Sequence, residues 1–422
     1  MSSIARSDPE MARAIATEHR RQSQTLEMIA SENHASSAVI EALGTALTDK
    51  YAEGYPGRRW YNGCENVDVI EQLTIDRAKR LFKAEHANVQ PHSGTTANLA
   101  VYVAALKPGM KIMGMRLDQG GHLSHGLPIN LSGICYKSSH YGVRRDTEML
   151  DLDEVRWLVL NEKPDLLVVG ASAYPRTIDF AGFGEIAKEA KCLLLADIAH
   201  IAGLVVAGVH PDPVPYADFV TTTTHKTLRG PRGGIILCRA KYAKAIDSAI
   251  FPGLQGGPLV HSIAAKGVSF LEAMLPPFKQ YATNIIANAK ALAGELLSQG
   301  WRLVSGGTDN HLMLVDLRSR MPDLTGKVAA NWLAEAGIIA NKNSIPFDPR
   351  PPIDASGIRL GTPALTTRGM GTEQMKAIAR WIDEVLTSKG DRFVLEKVQN
   401  QVRELCQQFP IPDQEVVTAG VQ

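Results

Sequence analysis

Four short runs most constrain how this chain can fold: Leu166–Gly170, Cys192–Asp197, Asp218–Thr224 and Gly234–Cys238. Each is apolar or β-branched, and each is bounded by turn residues, so each reads as a buried strand. A helical stretch, Phe183–Ala190, lies between the first two. Strands alternating with helices predict an α/β fold with a mostly parallel sheet.

The pattern changes at Pro276-Pro277, just after a helical segment that ends near Leu275. The next helix is amphipathic, with Ile285, Ala289, Leu292, Ala293 and Leu296 on one face. Two strand-like runs follow, Trp301–Val304 and His311–Leu317, then helices to about Leu386. Toward the start, residues 9–22 read as a helix leading into Leu26–Ser31. The expected division is an N-terminal arm (1–34), a large domain (35–276) and a smaller α+β domain (277–422). From Phe409 onward periodicity is weak, and poor order is expected.

Charge excludes some partners. Lys plus Arg number 45 and Asp plus Glu 44, for a formal charge of +1 without like-charge blocks. Nucleic acid and anionic membranes are therefore not the expected partners. Cys64, Cys135, Cys192, Cys238 and Cys406 are scattered and form no CxxC pair, which fits a reducing, cytoplasmic setting. No apolar run reaches the ~18 residues of a membrane span. Asp8, Glu10 and Glu18 speak against a transit peptide.

The chemistry concentrates in Asp218-Phe-Val-Thr-Thr-Thr-Thr-His225-Lys226. A lysine at the end of a buried strand sits where α/β proteins bind ligands. Desolvation there lowers its pKa and favours reaction with an aldehyde; taken alone, it is as easily a solvated loop lysine. Asp197 ends the preceding strand, placed either to pair with a pyridinium nitrogen or to cap a helix. Upstream, Ser93-Gly94-Thr95-Thr96 precedes a helical stretch, Ala97–Ala105. That makes an anion site or an ordinary N-cap. A phosphate cradle, an aspartate and a lysine in this order suit pyridoxal phosphate (PLP).

Two further signals are weaker. His122 and His125 in Gly120-Gly-His-Leu-Ser-His-Gly126 have no evident third metal ligand nearby, so no metal is expected. An imidazole stacked on a cofactor ring, or a satisfied core histidine, fits better. Arg359, in a stretch read as a turn between helices, suits either a substrate carboxylate or a surface ion pair.

Longer motifs carry a resemblance. These are Lys50-Tyr-Ala-Glu-Gly-Tyr-Pro-Gly57, Asn88-Val-Gln-Pro-His-Ser-Gly94, Thr221-Thr-Thr-Thr-His-Lys-Thr-Leu228, Phe251-Pro-Gly-Leu-Gln-Gly-Gly-Pro258, Ser305-Gly-Gly-Thr-Asp-Asn-His311, Asn341-Lys-Asn-Ser344 and Gly357-Ile-Arg-Leu-Gly-Thr-Pro-Ala364. With them the chain resembles serine hydroxymethyltransferases, fold-type I PLP enzymes, over nearly its whole length.

The resemblance implies roles. Lys226 holds the cofactor as a Schiff base, Asp197 pairs with the ring nitrogen, and His122 stacks on the ring. Ser172 and His200 lie near its phenolic oxygen. Gly94 and Thr95 hold the phosphate, helped by Tyr51 and Gly257 of a second subunit. Arg359, Ser31 and Tyr61 hold the substrate carboxylate. Glu53 serves acid–base chemistry and reaches tetrahydrofolate, the co-substrate, whose other contacts are Trp60, Leu117, Gly121, Leu123 and Asn343. Thr223 and His225 count with Lys226 as catalytic. The implied reaction interconverts L-serine and glycine in a homo-oligomer, a dimer at least. Trp60 and Asn62 depart from the common Tyr-Tyr-Gly-Gly pattern, and Asn62 is expected to narrow or re-aim the loop behind Tyr61. A folate-independent aldolase or an α-methylserine-type transferase is the rival on this scaffold.

Overall fold

The computed structural model describes residues 3–412. Its centre is a seven-stranded sheet: β1 (His86–Asn88), β2 (Lys111–Met115), β3 (Lys137–Tyr141), β4 (Leu166–Gly170), β5 (Leu193–Asp197), β6 (Phe219–Thr223) and β7 (Gly234–Cys238), in the order β1-β7-β6-β5-β4-β2-β3. Only β7 runs antiparallel to its neighbours. The α/β, mostly parallel expectation holds, and the four diagnostic runs match their strands to within a residue at each end.

Both faces of the sheet are buried, and the side chains sort by the period of two. Leu167, Val169, Leu194, Ala196 and Val220 join one core. Leu166, Val168, Leu195 and Phe219 join the core on the opposite face. Each buried Leu or Val contributes roughly 1.5–3 kcal/mol against exposure. On the first face lies Phe183 of the helix Phe180–Ala190, which starts three residues earlier than its apolar period indicates. Asp179 accepts from Gly182 N at 3.0 Å and caps it there.

A second sheet is antiparallel: β8 (Arg302–Leu303), β9 (Leu312–Asp316), β10 (Asn341–Asn343) and β11 (Gly357–Gly361), ordered β8-β9-β11-β10. Two expectations need correction here. Arg359 lies mid-strand in β11, opposite Leu314 and Asn341, not in a turn between helices. The run Trp301–Val304 matches β8 to within a residue at each end, and the chain turns just after it at Val304–Gly306, where Ser305 and Gly306 take positive φ. The start of the tail is anchored: Phe409 O accepts from Arg368 Nε at 2.7 Å, and Ile411 is buried. The remainder of that expectation falls on residues 413–422, outside the described residues.

One helix, Pro276–Ser298, serves both cores. Phe278, Tyr281 and Ile285 pack under the large sheet, while Ala289, Leu292 and Leu296 pack under the small one. Among the described residues no helix is long and apolar enough to cross a membrane.

Candidate active site

Three neighbouring parallel strands deliver residues at their carboxyl ends, where open α/β sheets bind ligands. Ser172 follows β4, Asp197 closes β5, and Lys226 stands three residues beyond β6. The close approach of β4 and β5 requires glycine. At Gly170, with φ of 144°, a Cβ would lie 2.0 Å from Asp197 O. Facing these ends is the helix Gly94–Ala105, whose cap Ser93 accepts from Thr96 N at 3.1 Å. Its first residues, Gly94 and Thr95, have backbone N–H groups that the helix itself does not satisfy, a cradle suited to an anion. A Cβ on Gly94 would stand 2.8 Å from Thr223 Cγ2, so glycine keeps this cradle open against β6. Thr223 Oγ1 meanwhile donates to Ala199 O at 3.1 Å.

Electrostatics set the protonation states. Burial pushes the Asp197 carboxyl up, but the hydrogen bond and charge of His125, with His122 and Asn98, hold it well below the usual range. Its Oδ2 lies 2.9 Å from both His125 Nε2 and Asn98 Nδ2, and Oδ1 accepts from Ala199 N at 3.1 Å. Burial, aided by the charge of His125, lowers His122 to about 4, so it presents a neutral ring; its Nδ1 lies 2.6 Å from Ser124 Oγ. His200 is stacked on His311 with centroids 5.5 Å apart, and burial and the Lys226 charge keep it neutral. Burial brings the Lys226 ammonium down to about 8, with Asp197 opposing the fall. His225, lowered to about 3 by burial and Arg232, keeps a buried Nδ1 without a partner.

Arg359 arrives from the other sheet. Its Nη1 donates to Ser172 O at 2.8 Å, and its buried Nε has no partner. Burial lowers its pKa to about 10, which leaves it charged at neutral pH. Gly361 N donates to Met28 O at 2.8 Å and lays the segment bearing Ser31 along the end of β11. Lys226, Asp197, His122, His200 and Arg359 thus share one buried spot, close enough that their charges perturb one another.

A second group lies apart. Tyr51 and Tyr61 meet edge to face at 5.2 Å, and Trp60 N donates to Glu53 O at 3.0 Å. A Cβ on Gly257 would touch the Tyr51 ring at 3.2 Å, and one on Gly256 would lie 3.0 Å from Glu53 Oε1. Tyr51, Trp60 and Tyr61 are 56%, 76% and 47% exposed. Among the described residues no side-chain hydrogen bond joins this group to the Lys226 group. Asn62 is exposed and outside the left-handed region, which Gly63 occupies with φ of 72°. It therefore adds no backbone strain, and the expected re-aiming of the loop finds no support.

The other expected residues are dispersed. Leu117 and Leu123 are exposed, near Gly121, where a Cβ would collide with Met115 O at 2.1 Å. Asn343 lies in β10 with its Nδ2 donating to Ser344 O.

The sequence reading missed His125 and Asn98 as partners of Asp197, and its search for a third ligand near His122 and His125 needs correction. Asp197 brings a carboxylate oxygen within 4.8 Å of both imidazoles. The His125–Asp197 hydrogen bond accounts for that closeness. The spacing of two histidines in a glycine-flanked loop was the available signal, but the partner lies 72 residues away.

These donors fit PLP: backbone N–H groups for a phosphate, a buried anion for a ring nitrogen, a partly neutral amine for an aldehyde. Arg359 Nε adds an unpartnered cationic donor, a type of group suited to a carboxylate. The family model described as serine hydroxymethyltransferase matches residues 4–382.

Proposed function

The chain belongs to the serine hydroxymethyltransferase family of fold-type I, PLP-dependent hydroxymethyltransferases, and on that premise we propose that it interconverts L-serine and glycine, passing the one-carbon unit to tetrahydrofolate. One observation carries this reading. A lysine brought down to about 8, a buried carboxylate kept anionic and an arginine with a free Nε converge on one spot.

When bound, PLP supplies a protonated ring that draws electron density from the substrate Cα. This chain's residues do the rest. Gly94 and Thr95 would hold the phosphate, and Asp197 would keep the ring nitrogen protonated. His122 would offer a flat neutral face to the ring, and Ser172 and His200 would serve its phenolic oxygen. The fraction of Lys226 that is neutral at pH 7–8 is nucleophilic, with Thr223 and His225 shaping its surroundings. Arg359, Ser31 and Tyr61 would bind the substrate α-carboxylate and fix its orientation. Glu53 moves the proton this chemistry needs.

The exposed group completes the proposal. Tyr51, Glu53 and Gly257 serve the site of a second copy, making a symmetric dimer the smallest active unit. Trp60, Leu117, Gly121, Leu123 and Asn343 form the folate surface. We propose a cytoplasmic setting from the five free cysteines. The division 1–34, 35–276 and 277–422 also stands as a proposal, with the helix Pro276–Ser298 as the shared element.

The test is conversion of serine to glycine with and without tetrahydrofolate. A rate that rises at least tenfold with folate supports the reading. Equal rates would replace it with the aldolase, and a preference for α-methylserine with the α-methylserine-type transferase.

A further inference from the structure

Lys226 is held by more than its strand. The turn that follows it passes through Arg229, a non-glycine residue at φ of 61°. That left-handed conformation is unfavourable for an L-residue and persists only where the surroundings fix it. Arg229 N donates to Lys226 O at 3.0 Å, closing the turn. The same carbonyl accepts from Asn33 Nδ2 at 2.9 Å.

Asn33 is saturated. Its Nδ2 also donates to Tyr281 OH at 2.6 Å, and its Oδ1 accepts from Thr367 Oγ1 at 2.7 Å and His34 N at 2.9 Å. Tyr281 in turn carries the Arg229 guanidinium 4.9 Å from its ring centroid. The contacts close a circuit: Lys226 carbonyl, Asn33 amide, Tyr281 ring, Arg229 guanidinium, and back through Arg229 N. Neither Asn33 nor Tyr281 reaches the cradle at Gly94 or the Asp197 carboxylate by a hydrogen bond. On the side of the site, what they touch is the backbone of the reactive lysine and the turn behind it; their other contacts run to Thr367, His34 and Phe278.

We propose that Asn33 and Tyr281 are positioning residues that lock the Lys226–Arg229 turn, so that Nζ approaches a cofactor aldehyde from a fixed direction. The inference rests on the cofactor reading above. In the step concerned, neutral Nζ attacks the aldehyde carbon, a C=N bond replaces C=O, and the oxygen leaves as water.

The test mixes PLP with cofactor-free protein and follows the band near ~420 nm expected of such conjugates. A second measurement is the equilibrium affinity for 4′-deoxypyridoxine phosphate. That analogue uses the cradle and Asp197 but has no aldehyde to capture. Asn33→Leu should slow capture about 10- to 100-fold and Tyr281→Phe about 3- to 10-fold, the range of one or two lost hydrogen bonds. Analogue affinity should stay within twofold in both. A purely structural role predicts that capture and analogue affinity fall together with Tm. Capture at the wild-type rate in either variant, or a parallel loss of analogue affinity, overturns the proposal. Should Asn33→Leu not fold, Tyr281→Phe decides alone. If wild-type protein captures no PLP, the cofactor reading fails first and this inference with it. That outcome differs visibly from normal wild-type capture with unaffected variants.

Discussion

The Lys226 group and the Tyr51–Tyr61 group are built in opposite ways. Around Lys226 the site's side chains are mostly buried and already partnered within one chain: Asp197 by His125 and Asn98, Arg359 by Ser172 O, His200 by His311. Around Tyr51, three aromatic rings lie 47–76% exposed, beside Glu53. Buried polar groups with hydrogen-bond partners are rigid and specific, and are costly to disturb; the nitrogens left open here include Arg359 Nε and His225 Nδ1. Exposed aromatics clustered on a loop instead mark a surface shaped for something outside the chain. The difference fits our reading, in which one chain supplies the cofactor half of a site and lends the acid–base half to a second copy.

The hardest way to break that contrast is to remove the centre of the first group. Lys226→Ala should abolish the ~420 nm band and reduce serine turnover by at least about 10³-fold, because the nucleophile is gone. A yellow, active variant would place the cofactor elsewhere. Mixing is the next largest effect. Lys226→Ala and Glu53→Ala are each expected to be inactive. After subunit exchange, random pairing restores wild-type residues at about one quarter of sites. No recovery after proven exchange would return Glu53 to its own chain's site.

Arg359 sharpens the comparison, since it reaches the buried group from the small sheet. Arg359→Lys keeps the charge and loses the two-pronged geometry. Loss of a charged contact there should cost about 2–4 kcal/mol, roughly 30- to 1000-fold in kcat/KM for serine. Cofactor absorbance should not change. A purely structural role, through the bond to Ser172 O, predicts the reverse, a lower Tm with near-normal glycine affinity. The smallest effect belongs to the exposed group. Asn62→Gly should alter kcat/KM for tetrahydrofolate less than about threefold, because Asn62 is exposed and unstrained. A larger change would give that loop a role its geometry does not display.

How much of this was legible in the sequence depended on range. Leu166–Gly170 and Phe219–Thr223 were readable because buried strands advertise themselves through apolar or β-branched runs between turns. Arg359 was not, because Gly357-Ile-Arg-Leu-Gly361 has glycine at both ends and a charge in the middle, which locally reads as a turn. Only pairing with Leu312–Asp316 and Asn341–Asn343 makes it a strand. The helix at Gly94 was placed three residues late, since Gly-Thr-Thr is a poor helix former and the Ser93 cap decides its start. Asp197 and Lys226 were legible as strand-end residues, but their supports were not. Asn98 lies 99 residues from Asp197 and Asn33 193 residues from Lys226, and no local pattern spans such distances.

The central claim is that Lys226 is the residue that takes the cofactor, and chemistry can read this directly. Purified protein is loaded with PLP, reduced with borohydride, digested and mapped by mass. The account predicts a single phosphopyridoxyl adduct on the peptide carrying Thr224-His225-Lys226, with Lys266, the fully buried lysine of this region, unmodified. An adduct on any other lysine, with Lys226 free, would contradict it.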